Sequence, residues 1–394
     1  MREFKWPCEP ADIELLAILK ADAYGHGLDI CAWSALRACW RWLGVTSVEE
    51  GVAVREMEEA QKGDDELSGM CDILVIGGVF SGQAVDVVDH QLVPVIWESW
   101  QLDELETYAN RVRPVQVHLE LDTGMSRQGV TVDDGGTALR SMLDRIRQSP
   151  AAGLGGVMTH LYGADESDGV SAAGQLRELE KALTIISAAG LPEPAEPRWL
   201  HVGNSAALLA GDMPGGVMQE LRRLCRKFGM RGMMRPGLAL YGLAPEFDPD
   251  EPASVTSRRR KLRRVLTWKT QVVGVREIAA GQVVGYNGTF VATEPMRVAL
   301  LAVGYADGLK RGLSNRGAVL VRGQQAPIIG RISMDQTVVD VSGIAGVAAG
   351  DEVVLIGRQG GRSITAEDHA RWAGTIPWEI FTSITQRVER RAID

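Results

Sequence analysis

Lys20 stands at the end of an apolar run, Leu15, Leu16, Ala17, Ile18 and Leu19, and is followed by Ala-Asp-Ala-Tyr-Gly-His-Gly27. The run reads as a short buried strand. Burial disfavours the charged form of a lysine and lowers its pKa, which is what an amine nucleophile or a Schiff-base lysine requires. At the carboxyl end of a strand in a parallel α/β barrel, such a residue sits where catalytic groups gather. A lone lysine in this setting is more often a strand-end side chain snorkelling to solvent beside a glycine turn. Two further strings could do chemistry with it. Asn204-Ser205 lies within His201-Val-Gly-Asn-Ser-Ala-Ala207, where a hydroxyl and turn amides could bind a phosphate near a helix N-terminus. Arg235-Pro-Gly237 closes a later apolar run, and Gly237 would let the backbone approach a phosphate closely. In isolation the first is usually a helix cap and the second a turn.

Positioning these residues requires a repeating scaffold. Short apolar runs at Leu15–Leu19, Trp42–Thr46, Ile73–Ile76, Leu92–Ile96, Val115–Leu121, Leu154–His160, Arg198–Val202 and Met233–Leu240 alternate with longer helical patterns such as Gly174–Ala189. Eight such units predict a parallel (β/α)8 TIM-like barrel, with Lys20 after the first strand and the Asn204 and Arg235 strings after the last two. A Pro-, Gly- and Asp-rich stretch at Tyr241–Pro252 marks a boundary, giving expected domains at 1–243 and 244–394. Beyond it, Val265–Val272, Val298–Val303, Ala318–Val321, Gln336–Val341 and Glu352–Ile356 are β-branched runs split by glycine turns, which predicts a smaller, mainly antiparallel β domain. Thr365-x-x-Asp368 has the form of a capping box opening a short helix to Ala373.

Composition sets the outer limits. The chain has 394 residues, 45% of them hydrophobic, enough to bury a barrel and a second core. Its 42 basic and 51 acidic residues give a net charge of −9, which offers no general attraction to nucleic acid. The basic run Arg258–Arg264 follows an acidic stretch, Glu246–Pro252, and reads as a loop whose halves compensate each other. Five irregularly spaced cysteines (Cys8, Cys31, Cys39, Cys71, Cys225) include no Cys-x-x-Cys pair, arguing for reduced thiols and against structural zinc. The apolar runs fall short of a membrane span, and the first residues lack the apolar core of a signal peptide, so a cytoplasmic location is expected.

The string Ile18-Leu-Lys-Ala-Asp-Ala-Tyr-Gly-His-Gly27 closely resembles the pyridoxal-phosphate lysine motif of alanine racemases, PLP-dependent enzymes of fold type III. The resemblance runs from about Leu15 to Val388 and includes Leu121-Asp-Thr-Gly-Met-Ser-Arg127, Met158-Thr-His160, Met234-Arg-Pro-Gly237, Val284-Gly-Tyr286, Gly304-Tyr-Ala-Asp-Gly308 and Gly330-Arg-Ile-Ser-Met-Asp-Gln336. It implies that Lys20 holds pyridoxal 5'-phosphate and then acts as one catalytic base. Tyr286, contributed by the other subunit of a head-to-tail homodimer, would be the opposite base. Arg235 would face the pyridine nitrogen, and His160 would support the tyrosine. Tyr24, Asn204, Ser205, Gly237 and Leu238 would hold the phosphate. Arg127 would reach the cofactor's phenolic oxygen and, with Tyr305 and the Met334 amide, the substrate. The implied activity is interconversion of L- and D-alanine, supplying D-alanine for peptidoglycan. An arginine at the pyridine nitrogen keeps its proton, weakening the ring as an electron sink and favouring proton exchange over decarboxylation or transamination.

Three positions depart from the family pattern. Only 19 residues precede Lys20, a shorter lead than the family's, which implies loss of a strand that joins the β domain and of a helix that covers the barrel. Glu120 stands where the family commonly has a lysine, carbamylated in some members; its own carboxylate would orient Arg127 without bound carbon dioxide. Strand alternation places His118, Glu120 and Asp122 on one side. Trp378 occupies the place of a late tyrosine that reaches the cofactor phosphate, and would reshape the pocket. The alternatives are a broad-specificity racemase acting, for example, on serine, a fold-sharing basic amino-acid decarboxylase, and a weakly active or inactive PLP-binding protein. Arg235 and Tyr286 count against the decarboxylase, and the second domain against a single-barrel carrier.

Overall fold

A computed structural model describes residues 13–60, 71–110, 114–132, 135–166, 168–192, 194, 196–211, 213, 215–247 and 251–393. They group into two units, Met1–Ala23 with Leu28–Arg264, and Tyr24–Gly27 with Val265–Asp394. Of the 19 residues before Lys20, 1–12, with Cys8 among them, lie outside the described residues, and so does the expectation drawn from that lead.

The first unit is a closed parallel barrel. Its strands are β1 (Ile13–Ile18), β2 (Trp42–Val45), β3 (Asp72–Val75), β4 (Leu92–Ile96), β5 (Val115–Asp122), β7 (Ala152–Thr159), β8 (Trp199–His201) and β9 (Arg231–Met234), with a two-residue extension, β6 (Val130–Thr131), beside β5. The order β4-β3-β2-β1-β9-β8-β7-β5 is closed by parallel pairing of Val95 with His118 and Ile96 with Leu119. These strands are almost continuously apolar because both faces are covered. Leu16, Leu43, Ile73, Leu74, Val95, Leu119, Val157, Leu200 and Met233 are fully buried. The helices between them are α1 (Lys20–Gly25), α2 (Leu28–Arg37), α3 (Val48–Ala60), α4 (Ala84–Asp89), α5 (Ser99–Leu105), α6 (Thr137–Gln148), α7 (Val170–Ala188), α8 (Ser205–Ala210) and α9 (Val217–Phe228).

The last expected strand, Met233–Leu240, ends at Met234, because Pro236 has no N–H for a ladder; a 3-10 turn follows at Leu238–Tyr241. The chain divides after Arg264, so α10 (Ala253–Arg259) belongs with the barrel unit. There Arg258 donates to the carbonyls of Leu209 (2.9 Å) and Ala210 (2.6 Å) at the end of α8, and Arg259 pairs with Glu251 at 2.6 Å. Arg258 and Arg259 of the basic run are thus tied to local partners.

The second unit is antiparallel, with strands β10 (Trp268–Ile278), β13 (Met296–Leu301), β14 (Ala318–Val321), β15 (Gln324–Pro327), β16 (Thr337–Asp340), β17 (Glu352–Gln359) and β18 (Arg362–Ile364). A small hairpin, β11 (Val283–Val284) with β12 (Phe290–Val291), stands apart. A bridge between Ile328 and Val339 joins the two ends of the main strand path. One core gathers Ile278, Val284, Ala292, Val298 and Ile329, another Ala318, Leu320, Val354 and Ile364. Two helices close the unit, α11 (Ala366–Ala373) and α12 (Pro377–Thr382), and Thr365 caps α11 with the reciprocal Asp368 bonds expected. No helix among the described residues is long and apolar enough to cross a membrane. Cys31, Cys39, Cys71 and Cys225 are free thiols.

Candidate active site

Lys20 opens α1, and α1 is left-handed. Ala21, Asp22, Ala23 and Tyr24 have φ of 56°, 53°, 53° and 54°, and Gly25 follows at 76°. A left-handed turn costs roughly 1–2 kcal/mol per L-residue, hence roughly 4–8 kcal/mol for these four. Hydrogen bonds offset that cost. Ala23 N–H donates to Leu19 O at 2.7 Å, Leu28 N–H to Asp22 Oδ1 at 2.7 Å, and Ala21 N–H to Glu50 Oε1 at 2.7 Å. Just before the turn, Leu19 N–H donates to Gly44 O (2.7 Å) and the Tyr241 hydroxyl to Ile18 O (2.9 Å). Gly25 is favoured as glycine by its φ and required by space, because a Cβ would lie 2.1 Å from Phe381 O.

The Lys20 amine is pushed below its ordinary pKa, first by burial and then by the Arg127 and Arg235 charges, with Glu50 acting in the opposite sense. Arg235, 5% exposed, donates from Nη2 to Thr159 O at 2.7 Å and lies 3.4 Å from His160 Nδ1. Its Nη1 is buried with no hydrogen-bond partner among the described residues. Burial lowers its pKa to about 10, yet the guanidinium stays charged at neutral pH. His160 is driven to about 3 by burial and by the charges of Arg235, Arg127 and Lys20, so its ring is neutral.

Glu120, 2% exposed, does not make the direct bond to Arg127 expected of it. Its Oε2 accepts from Gln128 Nε2, and Arg127 and Arg235 act on it through charge. Burial raises its pKa, and the Gln128 bond and the two arginines oppose that shift. His118, on the same strand, is a core residue, its ring 4.5 Å from that of His201 and held neutral at about 3 by burial.

The Ser205 hydroxyl oxygen accepts from Gly237 N–H (3.0 Å) and Ala239 N–H (3.2 Å), which brings the Asn204-Ser205 and Arg235-Pro-Gly237 strings together around one buried hydroxyl. Leu238 lies between the two amides. Asn204 is the N-cap of α8, its Oδ1 accepting from Ala206 and Ala207 N–H at 2.9 and 3.3 Å. Gly237 has φ −118°, so its backbone angle does not require glycine. Burial raises the Tyr24 phenol to about 12, keeping it a hydrogen-bond donor.

In the second unit Tyr286 begins a 3-10 turn between β11 and β12 and is 68% exposed; Asn287 beside it takes the left-handed φ of 62° that a hairpin turn uses. Tyr305 and Met334 are also exposed and lie on adjoining loops. Tyr305 N–H donates to Ser333 O and Ala306 N–H to Met334 O, both at 3.0 Å. Gly304 permits this approach, since a Cβ there would sit 2.2 Å from Met334 O. Trp378 is half-buried on α12, away from these loops in sequence.

Sequence reasoning missed Glu50 and Gln128. Glu50 had a signal, since Ser47-x-x-Glu50 has the form of a capping box. Gln128 had none beyond adjacency to Arg127.

Two family models match, "Alanine racemase, N-terminal domain" over residues 3–245 and "Alanine racemase, C-terminal domain" over 265–392. The chain belongs to the alanine racemase family. This makes it an isomerase. Relatives named alanine racemase include those of Syntrophobacter fumaroxidans, 35% identical over 94% of this chain and 88% of that one, and Symbiobacterium thermophilum, 38% identical over 95% and 89%. Among solved structures, alanine racemase from Bacillus anthracis with bound L-Ala-P has a TM-score of 0.80 at 29% identity, covering 98% of this chain and 89% of that chain. Alanine racemase from Bartonella henselae, with covalently bound pyridoxal phosphate, has a TM-score of 0.72 at 27% identity, covering 98% and 94%.

Proposed function

We propose that this enzyme interconverts L- and D-alanine with pyridoxal 5'-phosphate, using two bases from different subunits of a homodimer. The observation that carries the reading is Arg235, a buried guanidinium that stays charged while its Nη1 has no acceptor among the described residues. A pyridine nitrogen is an acceptor of the right kind for that N–H. Lys20 fits the same group, being an amine whose proton is loosened by burial and by neighbouring cations. The Ser205 hydroxyl, the Gly237 and Leu238 backbone and the Tyr24 phenol would hold its phosphate, with Asn204 fixing the start of α8 behind them.

When bound, the cofactor withdraws electrons from the substrate Cα and so acidifies the Cα–H bond. Lys20 Nζ then removes or returns the Cα proton on one face. The partner subunit's Tyr286 does the same at its Oη on the other. The exposure of Tyr286 in a single chain is consistent with this side chain serving a neighbouring copy. Arg235 donates without surrendering its proton, which limits electron withdrawal and directs the site toward reprotonation. Arg127 adds positive charge for the cofactor's phenolic oxygen and the substrate carboxylate, and Tyr305 and the Met334 amide complete the carboxylate's surroundings. In the cytoplasm, where the four described free thiols would remain reduced, the D-alanine formed would enter peptidoglycan.

The test is direct. Purified protein supplied with pyridoxal 5'-phosphate should develop a visible absorbance band and convert L-alanine to D-alanine; Lys20→Ala should lose both. A wild-type protein that binds the cofactor but forms no D-alanine would sink the reading.

A further inference from the structure

Glu50 has no role in the chemistry described above, yet its carboxylate is shared between two elements that must stay in register. Oε2 accepts from Thr46 N–H at 2.8 Å and Ser47 N–H at 3.4 Å, while Glu50 N–H donates to Ser47 Oγ at 3.2 Å. These bonds form a capping box at the start of α3. Oε1 turns the other way and accepts from Ala21 N–H at 2.7 Å and Asp22 N–H at 3.4 Å, the first two amides of the left-handed turn. One carboxyl group thus gathers four backbone donors, two from each side. An ionised acceptor makes hydrogen bonds roughly twice as strong as a neutral one.

We propose that Glu50 is a positioning residue for Lys20: its carboxylate anchors the strained left-handed turn to the N-terminus of α3 and so fixes the backbone from which the Lys20 amine is presented. Glu50 also supplies negative charge toward Lys20, against Arg127 and Arg235, with His160 neutral beside them. The proposal rests on Lys20 being the cofactor lysine, but the position of the turn can be read without any cofactor.

The experiment uses cofactor-free, full-length protein and compares Glu50→Gln, Glu50→Asp and Ser47→Ala. Two quantities are read: amide hydrogen exchange at Ala21 and Asp22, and the pH dependence of Lys20 labelling by an amine-reactive probe. Glu50→Gln keeps one acceptor oxygen but turns an amide NH2 toward two N–H donors. It should speed exchange at Ala21 and Asp22 by at least tenfold and move the labelling midpoint to lower pH. Ser47→Ala weakens only the capping box and should leave both within about twofold of wild type. Glu50→Asp keeps the charge but not the reach, so exchange should quicken while the midpoint stays close to wild type; it carries the comparison if Glu50→Gln does not fold. Unchanged exchange in the Glu50 variants, or an equal effect from Ser47→Ala, overturns the proposal. Covalent capture of pyridoxal 5'-phosphate by Lys20→Ala would overturn the cofactor reading instead, leaving the exchange data to decide Glu50.

Discussion

Replacing Arg235 with Met removes the stronger of the two arginine charges acting on Glu120 and leaves Glu120 with Gln128 and Arg127 as its remaining support. Thr159 O also loses the 2.7 Å bond from Nη2. Removing one member of a buried charge pair costs about 3–5 kcal/mol. Because Arg127 stays in place, the expected loss near neutral pH lies at the lower end, about 3 kcal/mol by the same measure. The loss should depend on pH in a defined direction. Glu120 already has a folded-state pKa above its unfolded value, so its favourable contribution is complete below the unfolded pKa and fades as pH rises through the folded one. Without Arg235 the folded pKa rises further, each added unit being worth about 1.4 kcal/mol. The variant should therefore be penalised more at pH 8 than at pH 5. Urea unfolding of wild type, Arg235→Met, Glu120→Gln and the double variant at both pH values measures this. An Arg235→Met penalty that is equal at the two pH values, or unchanged in the Glu120→Gln background, would refute the assignment of Glu120 as the group being compensated.

Tyr286→Phe should retain cofactor absorbance but lose racemisation by at least a hundredfold in both directions, and mixed dimers with Lys20→Ala should regain activity; verified heterodimers that stay inactive would count against shared sites. Glu120→Lys should make activity rise with added bicarbonate, whereas wild type should be indifferent to removal of carbon dioxide; a bicarbonate-insensitive variant argues that this position carries no needed charge. Gly304→Ala forces the Met334 loop away from a Cβ that would sit 2.2 Å from its carbonyl, so kcat/KM should fall at least tenfold with circular dichroism unchanged, and a kinetically normal variant would show that this loop is not part of the site.

Where side-chain pattern alone decides backbone geometry, the structure agrees with the sequence closely. Leu92–Ile96 and Ala318–Val321 are strands over the residues expected, because an apolar or β-branched run with turn residues at each end has few other options. Thr365 and Asp368 likewise specify their own helix start. Legibility fails where partners come from afar. Gln324–Pro327 and Arg362–Ile364 are polar strands held by ladder pairing to apolar neighbours, so neither run shows a strand's period. The grouping of Arg235, Ser205, Lys20 and His160 follows from barrel topology once eight strands are recognised. Which partner each takes does not, as Glu120 shows by bonding Gln128 in place of Arg127. Nor does Lys-Ala-Asp-Ala-Tyr announce a left-handed turn, since local preference for all but glycine runs the other way.

That turn reverses the usual rules of substitution. In ordinary helical backbone, exchanging alanine for glycine costs about 0.5–1 kcal/mol. Ala21 is exposed and already sits at φ 56°, so Ala21→Gly should be neutral or stabilising in urea unfolding. The mirror-image residue goes further, because φ near +55° is to a D-amino acid what an ordinary right-handed helix is to an L-amino acid. A semisynthetic chain with D-alanine at position 21 would relieve about 1–2 kcal/mol of steric cost without glycine's entropy. The backbone that follows Lys20 is thus folded in the hand natural to D-amino acids.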